Sequence, residues 1–364
     1  MVLTIETIHF QYLYDINMLN TYGQFLSRTA FAILHKSEPV DVLLRVLWFL
    51  PADAVIIVVT NCHLEQLDFF HSMISEQTEN CHRIYLVHQK NPQIALFLSR
   101  NGVDNIIGID NLVIDGKGEG MYIATLIASF LKPSIDWIVY FDADNFVPSS
   151  LLEYTITFCR LFTSQMHRQL LHNIRVCWYS KPILEDDTNK ILFRNMGRCS
   201  QVIASLINKL LHSLTKSDIN HVIVSSNSGE QAFTVKTAQT VRFASGYAVE
   251  TFQMLDLFDL TQPSTIHDQY NLLLQQYQSP SPHFHDKKDD RHIKQMIEES
   301  LGSFCHFPNF MTLIKNDLDH LCQEQALEPR VPKVYPPLKD ILVQFEKVHH
   351  HSLFSVEMYR VQKK

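Results

Sequence analysis

Two aspartates separated by a single residue, Asp142 and Asp144, lie in the segment FDADNFVP, whose Phe141 also ends the apolar run WIVYF (137–141). At a strand end both carboxylates can turn toward one cation. A hard divalent ion takes carboxylates together with diphosphate oxygens. The competing use is to cap the helix that Pro148 opens. A second Asp-x-Asp, Asp317-Leu318-Asp319, falls inside a polar helical stretch and reads as a solvated face. The segment GKGEGM (116–121) precedes another helix. Gly116 and Gly118 let backbone come close to a phosphate, the helix N-terminus favours an anion, and Lys117 adds a charge. Its spacing is not GxxxxGK[ST], which excludes a Walker-type loop.

Gly197-Arg198-Cys199-Ser200 opens a long amphipathic helix, with Arg194 just before it. Backbone N–H groups, a guanidinium fork and the Ser200 hydroxyl together make a phosphate site. In Lys36-Ser37-Glu38, the carboxylate of Glu38 can accept hydrogen bonds from a nucleotide base or favour a helix N-terminus. His283 and His285, in PHFHD, supply two imidazoles two residues apart, and imidazole is a common metal ligand. The run His349-His350-His351 reads as a polar helix face. Two further polar segments hold glycines: SNSGEQA (226–232), with Asn227 and Glu230, and SGYAVE (245–250), with Tyr247.

The elements that must position these groups alternate in type. Thr29–Leu34, Ala54–Thr60, Arg83–Val87 and Trp137–Phe141 read as buried strands. Val40–Leu50, Leu64–Glu76, Gln93–Asn101 and Gly118–Phe130 read as helices. Strands alternating with helices predict a mainly parallel sheet covered on both faces, with ligands at the carboxyl ends of the strands. Cys199–Lys216 is a long amphipathic helix. From Arg291 the chain reads as helical to about Ala326, crosses Pro329, Pro332, Pro336 and Pro337, and ends in one more helix.

The 364 residues are 46% hydrophobic and 19% charged, enough for a real core of one large domain or two. Ten glycines exclude collagen-like and low-complexity classes. A net charge of −7 argues against nucleic-acid binding, so isolated basic residues must hold any anionic substrate. Asp41, Arg45, Pro51 and Asp53 interrupt the most apolar stretch, which predicts no membrane span. No secretory leader is visible, and seven scattered cysteines without a CxxC pair predict reduced thiols in a cytoplasmic protein.

In this order, GKGEGM, FDADNFVP, WYSKP (178–182), GRCS (197–200), SNSGEQA, ASGYAVE (244–250), SPHFHDK (281–287) and VYPPL (334–338) resemble one family, the mannosyl-3-phosphoglycerate synthases. These are retaining glycosyltransferases of the GT-A fold. The resemblance covers residues 28 to 340. It implies an α/β, GT-A-like Rossmann-type sheet flanked by helices, with a C-terminal helical region on the acceptor side. It divides the chain into a nucleotide-sugar half (1–145), an acceptor half with the metal-ligand loop (146–290), and the helical region (291–364).

The resemblance further implies GDP-mannose as donor, D-3-phosphoglycerate as acceptor, and a divalent metal, Mg²⁺ first with Mn²⁺ or Co²⁺ as alternatives. The product would be mannosyl-3-phosphoglycerate, precursor of mannosylglycerate. Carried over by position, Glu38 is the guanine-side contact and Asn61 the asparagine after the second strand. Lys117, with Gly116 and Gly118, meets the diphosphate. Asp142 and Asp144 form the DxD, with Asp144 the better metal ligand, and either His283 or His285 completes the metal set. Gly197, Arg198 and Ser200 hold the acceptor phosphate, Asn227 and Tyr247 line the substrate, and Glu230 positions sugar or acceptor. Both front-face attack and a covalent intermediate stay open. Four segments depart from the family pattern: Lys36-Ser37 for Arg-Asn, Tyr179-Ser180-Lys181-Pro182 for Arg-Tyr-Lys-Pro with loss of the arginine, Gln231 for His, and Thr251 for Pro. The rival readings are a glucosyl-3-phosphoglycerate synthase and a noncatalytic nucleotide-sugar-binding relative. A sugar nucleotidyltransferase is disfavoured, because the first loop has no glycine. The reading allows a homodimer and includes neither nucleic acid nor membrane as partner.

Overall fold

The computed structural model describes residues 3–9, 18–36, 38–51, 54–77, 83–131, 134–164, 170–185, 190–192, 197–215, 223–263, 270–284, 289–342 and 359–360. Ser37, Arg194, His285, His349–His351 and most of the final helix expected from sequence lie outside them.

The strands are β1 (Leu3–His9), β2 (Thr29–His35), β3 (Val55–Thr60), β4 (Arg83–His88), β5 (Trp137–Asp142), β6 (Leu171–Trp178), β7 (Ile183–Glu185), β8 (Lys190–Leu192), β9 (Gln231–Thr234), β10 (Phe243–Ala244), β11 (Leu272–Ser279), β12 (Val334–Tyr335) and β13 (Tyr359–Arg360). The helices are α1 (Met18–Ser27), α2 (Val40–Trp48), α3 (Leu67–Gln77), α4 (Pro92–Arg100), α5 (Lys117–Phe130), α6 (Ser150–Thr163), α7 (Arg198–Thr215), α8 (Val235–Thr240), α9 (Val249–Asp259), α10 (Asp290–Ser303) and α11 (Pro308–Gln325).

Nine strands form one sheet in the order β1-β11-β6-β9-β5-β2-β3-β4-β13. Its pairings are parallel except where β9 joins β5 and β6, and where β13 joins β4. The expected α/β class and mainly parallel sheet are therefore present. One apolar layer packs under α5, α7, α9, α10 and α11. The other packs under α1, α2, α3 and α6. Burial on both faces explains why β3 reads VIIVVT without alternation.

Sequence order reverses between β2 and β5. Chain from β2 runs outward to β3 and β4 on one side, while β5 returns on the other. Open α/β sheets bind ligands at this kind of crevice. The parallel direction brings the ends of β2, β3, β5, β6 and β11 to one edge. Asp142 ends β5, and Glu38, Asn61, Lys181 and His283 follow the other ends.

β6 and β11 are among the strands that the sequence reading does not assign. Both carry buried polar side chains, which broke the apolar run expected of a core strand. Most of those groups find partners across the sheet and beside it: the His172 ring meets Gln275 Oε1 at 2.8 Å, and Arg175 donates to Gln231 Oε1 at 3.0 Å and to the Ser226 carbonyl at 2.9 Å. The single helix expected from Arg291 to Ala326 is two, α10 and α11, divided at Phe307-Pro308 where proline opens the second. In α11, Asp317 pairs with Lys209 and Asp319 with Lys315, the solvated face expected of the second Asp-x-Asp.

Candidate active site

A cleft of about 1210 Å³ opens along the carboxyl edge of the sheet. Glu38, Asn61, Gly116, Lys117, Asp142, Asp144, Gly197, Arg198, Ser200, Asn227, Glu230, Tyr247 and His283 all line it. Residues spread over some 245 positions of sequence thus meet in one cavity. Acidic side chains outnumber lysines and arginines in the lining by more than two to one.

The DADN turn divides its labour. Asn145 takes the Val147 N–H at 2.9 Å and donates to Ser150 Oγ at 3.2 Å, fixing the entry to α6. Asp142 and Asp144 are therefore not needed as caps. Asp142 lies 2.7 Å from Lys117 Nζ. It also rests on Gly229, where a Cβ would fall 1.9 Å from Asp142 Oδ2, so glycine is required there for the carboxylate to fit. Lys117 meets a second carboxylate, Glu250, at 2.5 Å. Burial works against its ammonium, but Asp142 and Glu250 outweigh that cost and hold its pKa well above the usual lysine value.

Across the cleft, His283 stacks on Trp178 with ring centroids 4.3 Å apart. Its loop is held by a hydrogen bond from its own N–H to the Ser180 carbonyl at 3.1 Å. Glu153 on α6 anchors the same loop, accepting from Tyr277 and Ser279 at 2.7 Å each. Phe284 joins it to the aspartate turn, its carbonyl accepting the Phe146 N–H at 2.7 Å. His283 Nδ1 sits 3.6 Å from Glu230 Oε1. Glu230 is buried, and neither of its carboxylate oxygens accepts a hydrogen bond among the described residues. Burial, reinforced by Asp142, pushes its carboxyl well above the usual range, against the pull of Lys181 and Lys117.

The start of α7 forms the third wall. Ser200 Oγ accepts the Asn227 N–H at 3.3 Å, and Asn227 Nδ2 donates to Ser300 Oγ at 2.9 Å. Arg198 reaches Asp290 at 2.7 Å. The Tyr247 N–H donates to Glu299 at 2.8 Å, and its ring packs on His292. On the far side of the crevice, Asn61 donates to Asp115 at 3.0 Å. The Glu38 carboxylate accepts the Lys36 N–H at 2.7 Å.

The family model for mannosyl-3-phosphoglycerate synthases matches residues 15–350. The chain belongs to that family.

Among curated members of the mannosyl-3-phosphoglycerate synthases, the enzyme of Pyrococcus furiosus is 26% identical over 338 residues, 88% of this chain and 83% of its own. That of Aeropyrum pernix is 28% identical over 324 residues, covering 85% and 81%. Among solved structures, glucosyl-3-phosphoglycerate synthase of Mycobacterium tuberculosis with Mn²⁺, UDP and glucosyl-3-phosphoglycerate superposes with a TM-score of 0.54 at 14% identity, over 92% of this chain and 98% of that one. The same enzyme with Mn²⁺, UDP-glucose and glycerol 3-phosphate gives 0.53 at 13%, over 90% and 95%. The shared fold is the GT-A-like sheet.

Against the family expectation, Gly118 stands apart. It does not line the cleft, and a Cβ there would lie 1.8 Å from the Ala244 carbonyl oxygen. Its bareness serves the packing of α5 on β10. The neighbouring Glu119 is wholly buried, where it accepts from Tyr335 at 2.5 Å and from the Gly246 N–H at 3.1 Å. One carboxylate thus ties GKGEGM, ASGYAVE and VYPPL together. Burial raises its pKa to about 6, with the hydrogen bonds from Tyr335 and Gly246 opposing. Glu250 and Lys181 line the cleft without a role in the sequence reading. The signal for Glu250 was an acidic residue in the first turn of the otherwise largely apolar helix VETFQMLDLFD. Among the described residues, no three His, Cys, Asp or Glu side chains converge closely enough to hold an ion unaided. No helix there is long and apolar enough to cross a membrane.

Proposed function

We propose that this chain transfers mannose from GDP-mannose to the 2-hydroxyl of D-3-phosphoglycerate with retention, forming mannosyl-3-phosphoglycerate. The observation that carries the reading is the meeting of the family's motif residues in one cleft at the sheet's reversal point. Family membership favours mannose over the glucosyl alternative. Residues 1–145 would serve the donor nucleotide, 146–290 the acceptor and metal, and 291–364 the acceptor-side wall.

The residues fit a divalent cation held together with a diphosphate. Asp142, Asp144 and His283 offer two carboxylates and an imidazole, a donor set suited to Mg²⁺ or Mn²⁺. The acid excess in a cleft meant for anions supports the same reading. Such an ion supplies charge neutralisation at the leaving diphosphate. The chain does the rest. Lys117 stabilises negative charge on the departing GDP oxygen. Glu38 and Asn61 face the nucleotide. Arg198, Ser200 and the α7 N-terminus take the acceptor phosphate, so remote binding energy orients the reacting hydroxyl. Glu230 accepts hydroxyl hydrogens of sugar or acceptor at the centre.

The test is product analysis by mass and anomeric configuration. Phosphoglycerate is offered with a panel of GDP- and UDP-sugars, with Mg²⁺ or with chelator. Chelator-sensitive α-mannosyl product from GDP-mannose is expected. Transfer from UDP-glucose alone would move the assignment to the glucosyl rival, and no transfer from any donor would overturn it.

A further inference from the structure

Of the lysines lining the cleft, Lys117 and Lys181 enter it from different walls, and their surroundings differ. The ammonium of Lys117 is clasped by Asp142 and Glu250. That of Lys181, three residues beyond the end of β6, covers the Trp178 ring at 4.2 Å. Among the described residues it has no carboxylate within 4.0 Å and no hydrogen-bond acceptor. Its charge is felt instead at longer range by Glu230, Asp142, Glu250 and Asp144, while burial disfavours it. A cation partly withdrawn from water with an aromatic face but no carboxylate in contact is costly, and an arriving anion relieves that cost.

Geometry selects the anion. Lys181 runs along Gly197: a Cβ there would sit 3.5 Å from its Nζ. The ammonium is therefore at the residue just before Arg198, on the acceptor side, whereas Lys117 serves the aspartate turn. Glu230, buried and without a hydrogen bond on either oxygen, lines the same cavity. A phosphoglycerate carries two anions, and its carboxylate is vicinal to the reacting hydroxyl. On the acceptor reading given above, we propose that Lys181 binds the acceptor's carboxylate and so selects a phosphorylated α-hydroxy acid over a plain glycerol phosphate. With phosphate at Arg198 and Ser200 and carboxylate at Lys181, the 2-hydroxyl between them is delivered toward Glu230.

Calorimetric titration of the full chain, saturated with GDP and Mn²⁺, tests this with D-3-phosphoglycerate and glycerol 3-phosphate as probes. Wild type should bind phosphoglycerate about 10–100-fold tighter, the worth of one charge-assisted contact. Lys181→Met should remove that preference, leaving glycerol 3-phosphate and GDP affinities within about 2-fold. Lys181→Arg should restore part of it. Because Met replaces a cation with no carboxylate in contact and can still pack on the Trp178 ring, ligand-free Lys181→Met should melt no lower than wild type. Equal weakening of both acceptors, loss confined to GDP, or an unchanged preference would overturn the assignment while leaving the acceptor site standing. Failure of wild type to bind either probe would overturn the acceptor reading and this inference together.

Discussion

Replacing Gly118 by alanine separates two reasons for a glycine at the head of α5. If Gly118 exists to admit a phosphate, alanine costs donor affinity and leaves stability alone. The structure gives the other reason. The new Cβ would fall 1.8 Å from the Ala244 carbonyl oxygen, where ordinary contact begins at 3.4 Å. Helix and strand must part by about 1.6 Å, and neither side is a flexible side chain. Overpacking of this kind costs about 1–3 kcal/mol, and backbone against backbone places it at about 3 kcal/mol. Gly120, one half-turn on, is the internal control. Its Cβ would meet Leu34 at 3.4 Å and the Gln89 amide at 3.6 Å, which both tolerate. Alanine also favours a helix interior over glycine by about 1 kcal/mol. Urea unfolding of the two variants should therefore give Gly118→Ala well below wild type and Gly120→Ala at or above it. Equal stabilities for the two would refute the packing account and return Gly118 to the phosphate.

Asp144→Ala should lower metal-dependent turnover by at least about 100-fold, with the melting temperature kept and Mn²⁺ binding by EPR weakened. Near-normal turnover would remove Asp144 from the centre. Arg198→Ala should raise the KM for phosphoglycerate about 10–100-fold and that for the donor by less than about 3-fold; an unchanged acceptor KM ends the phosphate role. Glu119 holds its proton more tightly folded, at about 6, than the ordinary glutamate value of 4.5 expected unfolded. Its contribution to stability is therefore fully present below pH 4.5 and lost as pH rises through 6. That loss is about 2 kcal/mol, and Glu119→Gln should abolish it. Urea titrations of both proteins from pH 4.5 to 7.5 measure the difference; parallel curves would contradict the burial argument.

Much of the donor half was legible because its strands are continuous and apolar. TAFAIL, AVIIVVT and WIVYF announce buried parallel strands, and the chemistry follows their ends. The acceptor half was harder. β6 and β11 are just as buried, yet His172, Asn173, Arg175, Gln275 and Gln276 fill their faces. Their polarity is balanced by partners far away in sequence, which no local window contains. The same holds for β9. Its first two residues, Gln231 and Ala232, close the SNSGEQA motif in the sequence reading, and only the assembled sheet shows a strand there, paired antiparallel on both sides. Lys181 was visible within WYSKP, but its meaning depends on Gly197 and Trp178 standing beside it.

GKGEGM shows where a motif stops being informative about roles. Its residues share an address, the start of α5, and point in different directions. Successive residues of a helix turn by about 100°, so positions two apart project to nearly opposite sides. Once Lys117 faces Asp142 across the cleft, Glu119 must face inward. There it finds Tyr335 and the Gly246 N–H. The pattern that looked like one phosphate cradle is a cleft-facing cation followed by an inward carboxylate that ties three distant segments behind it. The period of the helix alone could have predicted that division, given one residue known to face the ligand.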